Sequence, residues 1–371
     1  MQLTIAQFTF GLHLAGQERV VTDLAKAFKY RGHRSLVCTT QTGGELVQEL
    51  DEAGVPFNCL DLRLSYDPRG LLKAVPYLKN NRVDVVITHG MSGCLVPRIA
   101  ALMARTTVTM HVEHNVSSFK KKYHRLADKA LFHFTDKIVC VSENARRSLH
   151  ETEKIGSDKV VVIHNGLDPR RFSGSDSTPK KGTASKKRVG IIARLSEQKG
   201  HEFFLKAAAK IVLISKEIEF LIIGDGPLKS RLQQTIKENG LERYCKMLGS
   251  RPDIGSILPT LDVFVLSSLW EGLPISLLEA QYFGVASVVT GVGGNPEIVT
   301  DNFNGLVVPP GDVEAMAMAI LKLVENDNMR DEFSANARKV FNERFSIEKA
   351  ADFYLDRICS LMSSKNLRSA V

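Results

Sequence analysis

Two glutamates with seven residues between them, Glu271 and Glu279, are the side chains in this sequence whose chemistry is easiest to argue. The run Val263-Phe264-Val265-Leu266 before them is continuous and apolar, as a buried parallel strand is. Gly272 and Pro274 break that strand. Pro274 suits the first turn of a helix, where a missing N–H costs nothing. The pattern predicts Glu271 in a loop at a strand's carboxyl end and Glu279 about one and a half turns into the next helix. Open α/β sheets bind ligands at such ends. Free N–H groups at a helix start favour an anion, most simply a phosphate. Two flanking carboxylates accept hydrogen bonds from sugar or ribose hydroxyls. Taken alone, the stretch is equally compatible with two solvated acids on an ordinary βα unit.

The elements that must position these groups alternate along the whole chain. A strand is expected at 3–8, then a glycine loop with Gly11 and Gly16, then a helix from about 17 to 31. That helix carries Val20, Val21, Leu24, Ala27 and Phe28 on one stripe and stops at Gly32. Strand, glycine loop and helix open a doubly wound fold, although the dinucleotide fingerprint G-x-G-x-x-G is absent. Further strands are expected at 35–39, 83–88, 107–112, 137–141 and 159–163, with Ser142 as a helix N-cap. Residues 173–188 are Ser, Thr, Gly and Lys without apolar periodicity and read as a linker or mobile loop. A second series of strands follows at 189–192, 220–223, 246–248, 263–266 and 287–290. The fold class is therefore α/β, with two Rossmann-like doubly wound domains at 1–172 and 189–346 facing each other across a cleft.

Composition narrows the function classes. Hydrophobic residues at 44% and charged residues at 24% are those of an ordinary globular protein. Six cysteines are scattered without a C-x-x-C pair, which argues against a zinc site or disulfide framework and for a reducing compartment. The first residues lack a basic segment and a long apolar core, so no signal peptide is expected. No run reaches the length of a spanning helix. The net charge of +8 divides into +5 for residues 1–168, +6 for 169–188 and −3 for 189–371. An excess placed in the first half favours an anionic partner there, or is simply a solvated basic face. Lys120, Lys121, Lys122 and Arg125, among Phe119, Tyr123 and His124, allow the same two readings: a dock for an anionic lipid headgroup or a solvated helix. A nucleic-acid partner is not expected, for want of any recognition motif.

The glutamate pair also resembles the E-x7-E signature of retaining GT-B glycosyltransferases. The run from Thr290 to Val299 resembles their glycine-rich turn, and the run from Asn304 to Asp312 is likewise similar to the family's. Ala193-Arg194-Leu195 to Lys199-Gly200 resembles the G-R-L-x-x-x-K-G phosphate motif, with Ala193 in place of glycine. Ala15-Gly16-Gln17-Glu18-Arg19 resembles the G-G-x-E-R loop, again with alanine in the first position. The best match is glycosyltransferase family four.

That resemblance implies a nucleoside diphosphate sugar donor, a UDP-sugar first and GDP-mannose second. A hexose or N-acetylhexosamine would pass with retention to a glycan or lipid-linked acceptor in cell-surface polysaccharide or glycolipid synthesis. Arg194 and Lys199 would clamp the diphosphate, Arg as a fork and Lys as a point charge. Glu279 would hold the ribose hydroxyls and Glu271 would lie near the donor sugar. Gly272, Leu273, Pro274 and Leu277 would line that subsite, Arg251 would bracket the base, and Gly16 would reach the donor phosphate. His114, at a strand end before Asn115, would contact donor sugar or acceptor, with His111 as its competitor on the opposite face of the strand. No cofactor is implied, and the absence of an Asp-x-Asp motif argues against a metal. The last helix, about 347–371, would pack back on the first domain. The localisation implied is cytoplasmic, with a peripheral contact to the inner membrane face. A sugar-phosphate synthase or phosphorylase of the same fold is the rival enzyme reading. A catalytically inactive nucleotide-binding scaffold is the rival of another class.

Overall fold

β-Branched and aliphatic runs alternating with helices build two parallel sheets in the computed structural model, which describes residues 1–64, 67–90, 95–116, 129–155, 157–173 and 186–369. The chain divides into one unit of Met1–Asp168 with Ile347–Val371 and a second of Pro169–Ser346. The boundary expected after residue 172 thus lies earlier. Phe172 stacks on Tyr282 at 5.6 Å and meets Phe283 edge-on at 4.9 Å, which ties 169–172 to the second unit.

The first unit contains β1 (Thr4–Thr9), β2 (Arg34–Thr39), β3 (Phe57–Cys59), β4 (Val85–His89), β5 (Val108–Glu113), β6 (Lys137–Cys140) and β7 (Val160–Val162). Their spatial order is β3-β2-β1-β4-β5-β6-β7. The direction of winding reverses between β1 and β4, and the carboxyl ends there open a crevice. Helix α1 (Gly16–Tyr30) buries Val20, Val21, Leu24, Ala25, Ala27 and Phe28, as its apolar stripe requires. Ser142 caps the helix Glu143–Glu153 by accepting from the Ala145 N–H at 3.1 Å. The helix Ile347–Ser369 closes this unit. Arg31, just past α1, forks its Asp352 at 2.7 Å, its Tyr354 meets Phe28 edge-on at 6.2 Å, and its Lys365 pairs with Asp136 at 2.7 Å.

The second unit holds β8 (Lys187–Ile192), β9 (Ile218–Ile223), β10 (Cys245–Gly249), β11 (Val263–Leu266), β12 (Ser287–Thr290) and β13 (Gly305–Val308). They lie in the order β10-β9-β8-β11-β12-β13, with the switch between β8 and β11. One core of Val189, Ile191, Phe204, Phe220, Val263, Val288 and their neighbours fills one face of this sheet. Lys187 and Arg188 belong to β8 rather than to a linker. The Arg188 N–H is bonded to Asp262 and its guanidinium to Glu219, and the Lys187 ammonium donates to Asp327 at 3.2 Å, so both residues are anchored. Of the expected linker, 174–185 lie outside the described residues.

Candidate functional site

In the second unit the β8 and β11 loops are sewn together at the switch point. The Leu269 N–H donates to the Gln198 carbonyl at 2.8 Å, and Gln198 returns a bond to the Trp270 carbonyl at 3.0 Å. Ser267 donates to the Lys199 carbonyl at 3.0 Å. Two glycines permit close approach to the β11 loop, Gly200 from the loop after β8 and Gly293 from the loop after β12. Gly200 has φ +61, and a Cβ on it would stand 2.1 Å from the Ser267 carbonyl oxygen. Gly293 has φ +55, and a Cβ there would stand 2.2 Å from the Glu271 carbonyl oxygen. Only glycine takes both the backbone angle and the contact.

These loops bring Lys199 to Glu271. The ammonium lies 2.5 Å from Glu271 Oε1, which also accepts from the Ser268 hydroxyl at 2.6 Å. Glu271 is only 3% exposed, so its charge is held by these donors in place of water. The motif implies Lys199 on a phosphate alone; here it serves the carboxylate first. Arg194, just past β8, is exposed, and its guanidinium has no hydrogen-bond partner among the described residues.

Pro274 caps the helix Ile275–Phe283 instead of occupying its first turn, and no side chain caps that helix start. The first-turn amides, Leu277's among them, are therefore left for an anion. The side chains of Leu273 and Leu277 are buried, so these residues could meet a ligand only through their backbone. Glu279 sits in the second turn and is paired with Arg171, a residue that motif reading passes over. Arg171 also lies 4.6 Å over the Phe172 ring. Arg251 is exposed and forked with Asp253 at 2.7 and 2.6 Å, on the loop after β10. His201, one residue past Gly200, is 1% exposed with neither ring nitrogen bonded to protein. Burial, aided by the Lys199 charge, drives its pKa down to about 4.

In the first unit the crevice holds a histidine pair. The strand register puts Gln7 beside Ile87, Thr88 beside His111 and His89 beside Val112. Side chains alternate along a strand, so Gln7, His89 and His114 share one face while Thr88, His111 and Glu113 share the other. The bonds agree. His89 Nε2 lies 2.9 Å from Gln7 Oε1, and His89 Nδ1 lies 3.0 Å from His114 Nε2. His111 is buried between Thr88 and Glu113, at 3.0 Å from each. His114, partly exposed, is the one that reaches the crevice. Burial, opposed by Glu113 and reinforced by His111, lowers its pKa to about 3. Burial, then His114 and His111, pushes His89 well below the usual histidine range. Gly16 is exposed at the first position of α1, and the neighbouring Gln17 donates to Thr9 Oγ1 at 3.1 Å. Lys120, Lys121, Lys122 and Arg125 lie outside the described residues. Among the described residues no cluster of His, Cys, Asp and Glu could hold a metal ion, and no helix is long and apolar enough to cross a membrane.

His89, Gln7, Arg171 and Ser268 escape motif reading. The signal for the first two was available, because strand ends at a switch point are few and period-2 alternation assigns their faces. Arg171 carried no such signal, since it meets Glu279 across 108 residues of sequence.

Known proteins match the chain over most of its length. The model of the glycosyl transferases group 1 matches residues 176–340, and that of glycosyltransferase family 4 matches residues 14–171. An Escherichia coli UDP-Gal:alpha-D-GlcNAc-diphosphoundecaprenol alpha-1,3-galactosyltransferase is 30% identical over 351 residues, covering 87% of this chain and 89% of its own. A phosphatidylinositol N-acetylglucosaminyltransferase subunit from Arabidopsis thaliana is 25% identical, covering 87% and 74%. Among solved structures, Anabaena HepE in complex with UDP and glucose superposes with a TM-score of 0.86 at 22% identity, over 97% of this chain and 100% of its own. With two doubly wound sheets and a matched sequence running through both, the chain belongs to the family-four glycosyltransferases and has their GT-B fold.

Proposed function

We propose that this enzyme transfers a hexose or N-acetylhexosamine, with retention, from a UDP-sugar to a lipid-linked glycan acceptor. The observation that carries the reading is the uncapped start of the helix Ile275–Phe283, flanked by Glu271 with Lys199 on one side and Glu279 with Arg171 on the other. Amides and cations suit a diphosphate, and the carboxylates suit hydroxyls. The donor base and the acceptor are supported by the E. coli relative, whose name gives UDP-Gal and a diphosphoundecaprenol-linked GlcNAc.

Transfer leaves negative charge on the departing diphosphate. Arg194, Lys199 and the helix amides are the groups assigned to stabilise it, without a metal. Glu271 Oε1 already accepts from Lys199 and Ser268, and Oε2 lies 3.5 Å from the Gln198 amide nitrogen, so both oxygens face donors that lower the carboxylate's nucleophilicity. This favours reaction on one face of the sugar, with the leaving phosphate taking the acceptor proton, over a double displacement through Glu271. Glu279, oriented by Arg171, is assigned to the ribose. His114 is assigned to a hydroxyl of the donor sugar or acceptor. The basic segment at 120–125 is assigned to the anionic surface that presents a lipid-linked acceptor at the inner membrane face.

A thermal-shift panel of UDP, GDP, ADP and CDP, each with and without its sugar, tests the donor, because a ligand of the folded state raises Tm by mass action. UDP and a UDP-sugar are expected to raise it with excess EDTA present. A shift with GDP-mannose alone would replace the donor, and a shift that needs added magnesium or manganese would overturn the metal-free assignment.

A further inference from the structure

Gln7, His89 and His114 come from β1, from β4 and from just past β5, three neighbouring strands at the switch point of the first unit. Their hydrogen bonds have a direction that can be worked out. The Gln7 amide nitrogen lies 3.3 Å from the Val21 carbonyl of α1. A carbonyl only accepts, so the Gln7 group facing it is the NH₂ and the group facing His89 is the oxygen. Gln7 Oε1 in turn only accepts, so His89 Nε2 carries the proton of the 2.9 Å bond. His89 is fully buried and neutral, and its Nδ1 is therefore a lone pair. At 3.0 Å from that lone pair, His114 Nε2 must be the donor. The rings lie 5.3 Å apart at 29°, close enough to parallel for the bond to run near both ring planes. Among the described residues nothing is hydrogen-bonded to the remaining nitrogen, His114 Nδ1.

We propose that Gln7 and His89 are positioning residues that fix His114 as its Nε2–H tautomer, so that His114 meets its substrate through an unprotonated Nδ1. The group recognised is then a donor: a sugar hydroxyl whose proton is given to Nδ1. Neither a phosphate oxygen nor a carbonyl satisfies that nitrogen. The inference rests on the assignment of His114 to a substrate hydroxyl, but the tautomer itself is a property of the free enzyme. The two can therefore fail separately.

The test is a long-range ¹H–¹⁵N spectrum of the full chain labelled at histidine, at neutral pH, with His114→Gln to assign the signals. His114 Nδ1 is expected at the shift of an unprotonated nitrogen and Nε2 at that of a protonated one. The reverse pattern, or an imidazolium, overturns the proposal whether or not any variant folds. Two substitutions then probe the chain. In His89→Asn the amide oxygen takes the place of Nδ1 and is expected to keep the His114 tautomer. In His89→Phe the acceptor is gone, and the His114 signals are expected to average between tautomers with kcat/KM down at least tenfold. His89→Asn is expected to recover most of that loss; equal loss in both variants overturns the positioning role. If wild type shows the Nε2–H tautomer and His114→Ala still transfers sugar at the wild-type rate, the tautomer stands and the assignment of His114 to the substrate falls.

Discussion

At the scale of single residues, the ion pair of Lys199 with Glu271 has a structural role and a proposed catalytic one, which mutation can separate. Removing the ammonium by Lys199→Ala leaves a carboxylate that is 3% exposed without its cation, an uncompensated buried charge that costs about 3–5 kcal/mol. Thermal unfolding is expected to show that loss, and the double variant Lys199→Met with Glu271→Gln is expected to regain stability without regaining turnover. Arg194 is exposed and unpaired among the described residues. Arg194→Ala is therefore expected to leave Tm nearly unchanged while turnover drops about 10²–10³-fold, the usual loss for one donor to developing charge. A variant equal to wild type in initial rate would remove Arg194 from the donor site. Two histidines, His201 buried and His114 partly exposed, make a second prediction, about pH. His201 titrates near 4 and His114 near 3 in the folded chain, against an ordinary value of 6.5. Below pH 6.5 the unfolded chain takes up protons that the folded one refuses, so stability falls as pH falls and is flat above that point. For His201 the loss grows until about pH 4, each step of one in pH across that window being worth about 1.4 kcal/mol. Tm is expected to drop from pH 7 to pH 5, and less steeply in His201→Phe. An equal slope in that variant would remove His201 as a contributor.

At the scale of elements, each functional loop is shaped by a second loop packed on it, and glycine sets the distance. Gly293→Ala would force a Cβ onto the Glu271 carbonyl oxygen at 2.2 Å from a left-handed backbone. The conformation alone costs about 1–2 kcal/mol. Because the clash falls on the backbone of Glu271, donor affinity measured by calorimetry is expected to fall together with Tm; loss of Tm at full affinity would mean that the turn supports the fold and not the site. This dependence also explains what the sequence displays and what it hides. β11 is a pure apolar run between Asp262 and Ser267, and its residues alone locate both its ends. The two parallel sheets follow from the alternation of strands and helices and need no long-range knowledge. β3, three half-buried residues, and β13, which begins on Gly305, carry no run long enough to register. The start of β8 is masked by Lys187 and Arg188, whose charges are matched by Asp262, Glu219 and Asp327 from other segments. Motif spacing leads to Glu271, Glu279, Arg194 and Lys199, but spacing along the chain cannot show that Lys199 turns toward Glu271 or that Arg171 turns toward Glu279. The first pairing exists only after β8 and β11 have become neighbours, the second only after 169–172 has packed on the helix Ile275–Phe283.

At the scale of the whole molecule, the first unit is built from both ends of the chain. The helix Ile347–Ser369 covers α1 and supplies the Asp352, Tyr354 and Lys365 contacts to Arg31, Phe28 and Asp136. A chain ending at Ser346 is expected to lose amide-exchange protection in β1–β7 while β8–β13 keep theirs, because the second unit has its own core. Uniform loss across both sheets would mean that the units unfold as one. The same arrangement has a consequence for synthesis. Met1–Asp168 leaves the ribosome before the second unit, yet the helix that completes the first unit is made only after the 178 residues of Pro169–Ser346. At the usual 5–20 residues per second this interval lasts roughly 10–35 s. Throughout it, the surface that Tyr354 will cover on Phe28 has no intramolecular cover from the C-terminal helix. A nascent chain stalled anywhere in that interval displays this surface to its neighbours. Translation speed through the second half of the message therefore sets how long the first half must be protected from association.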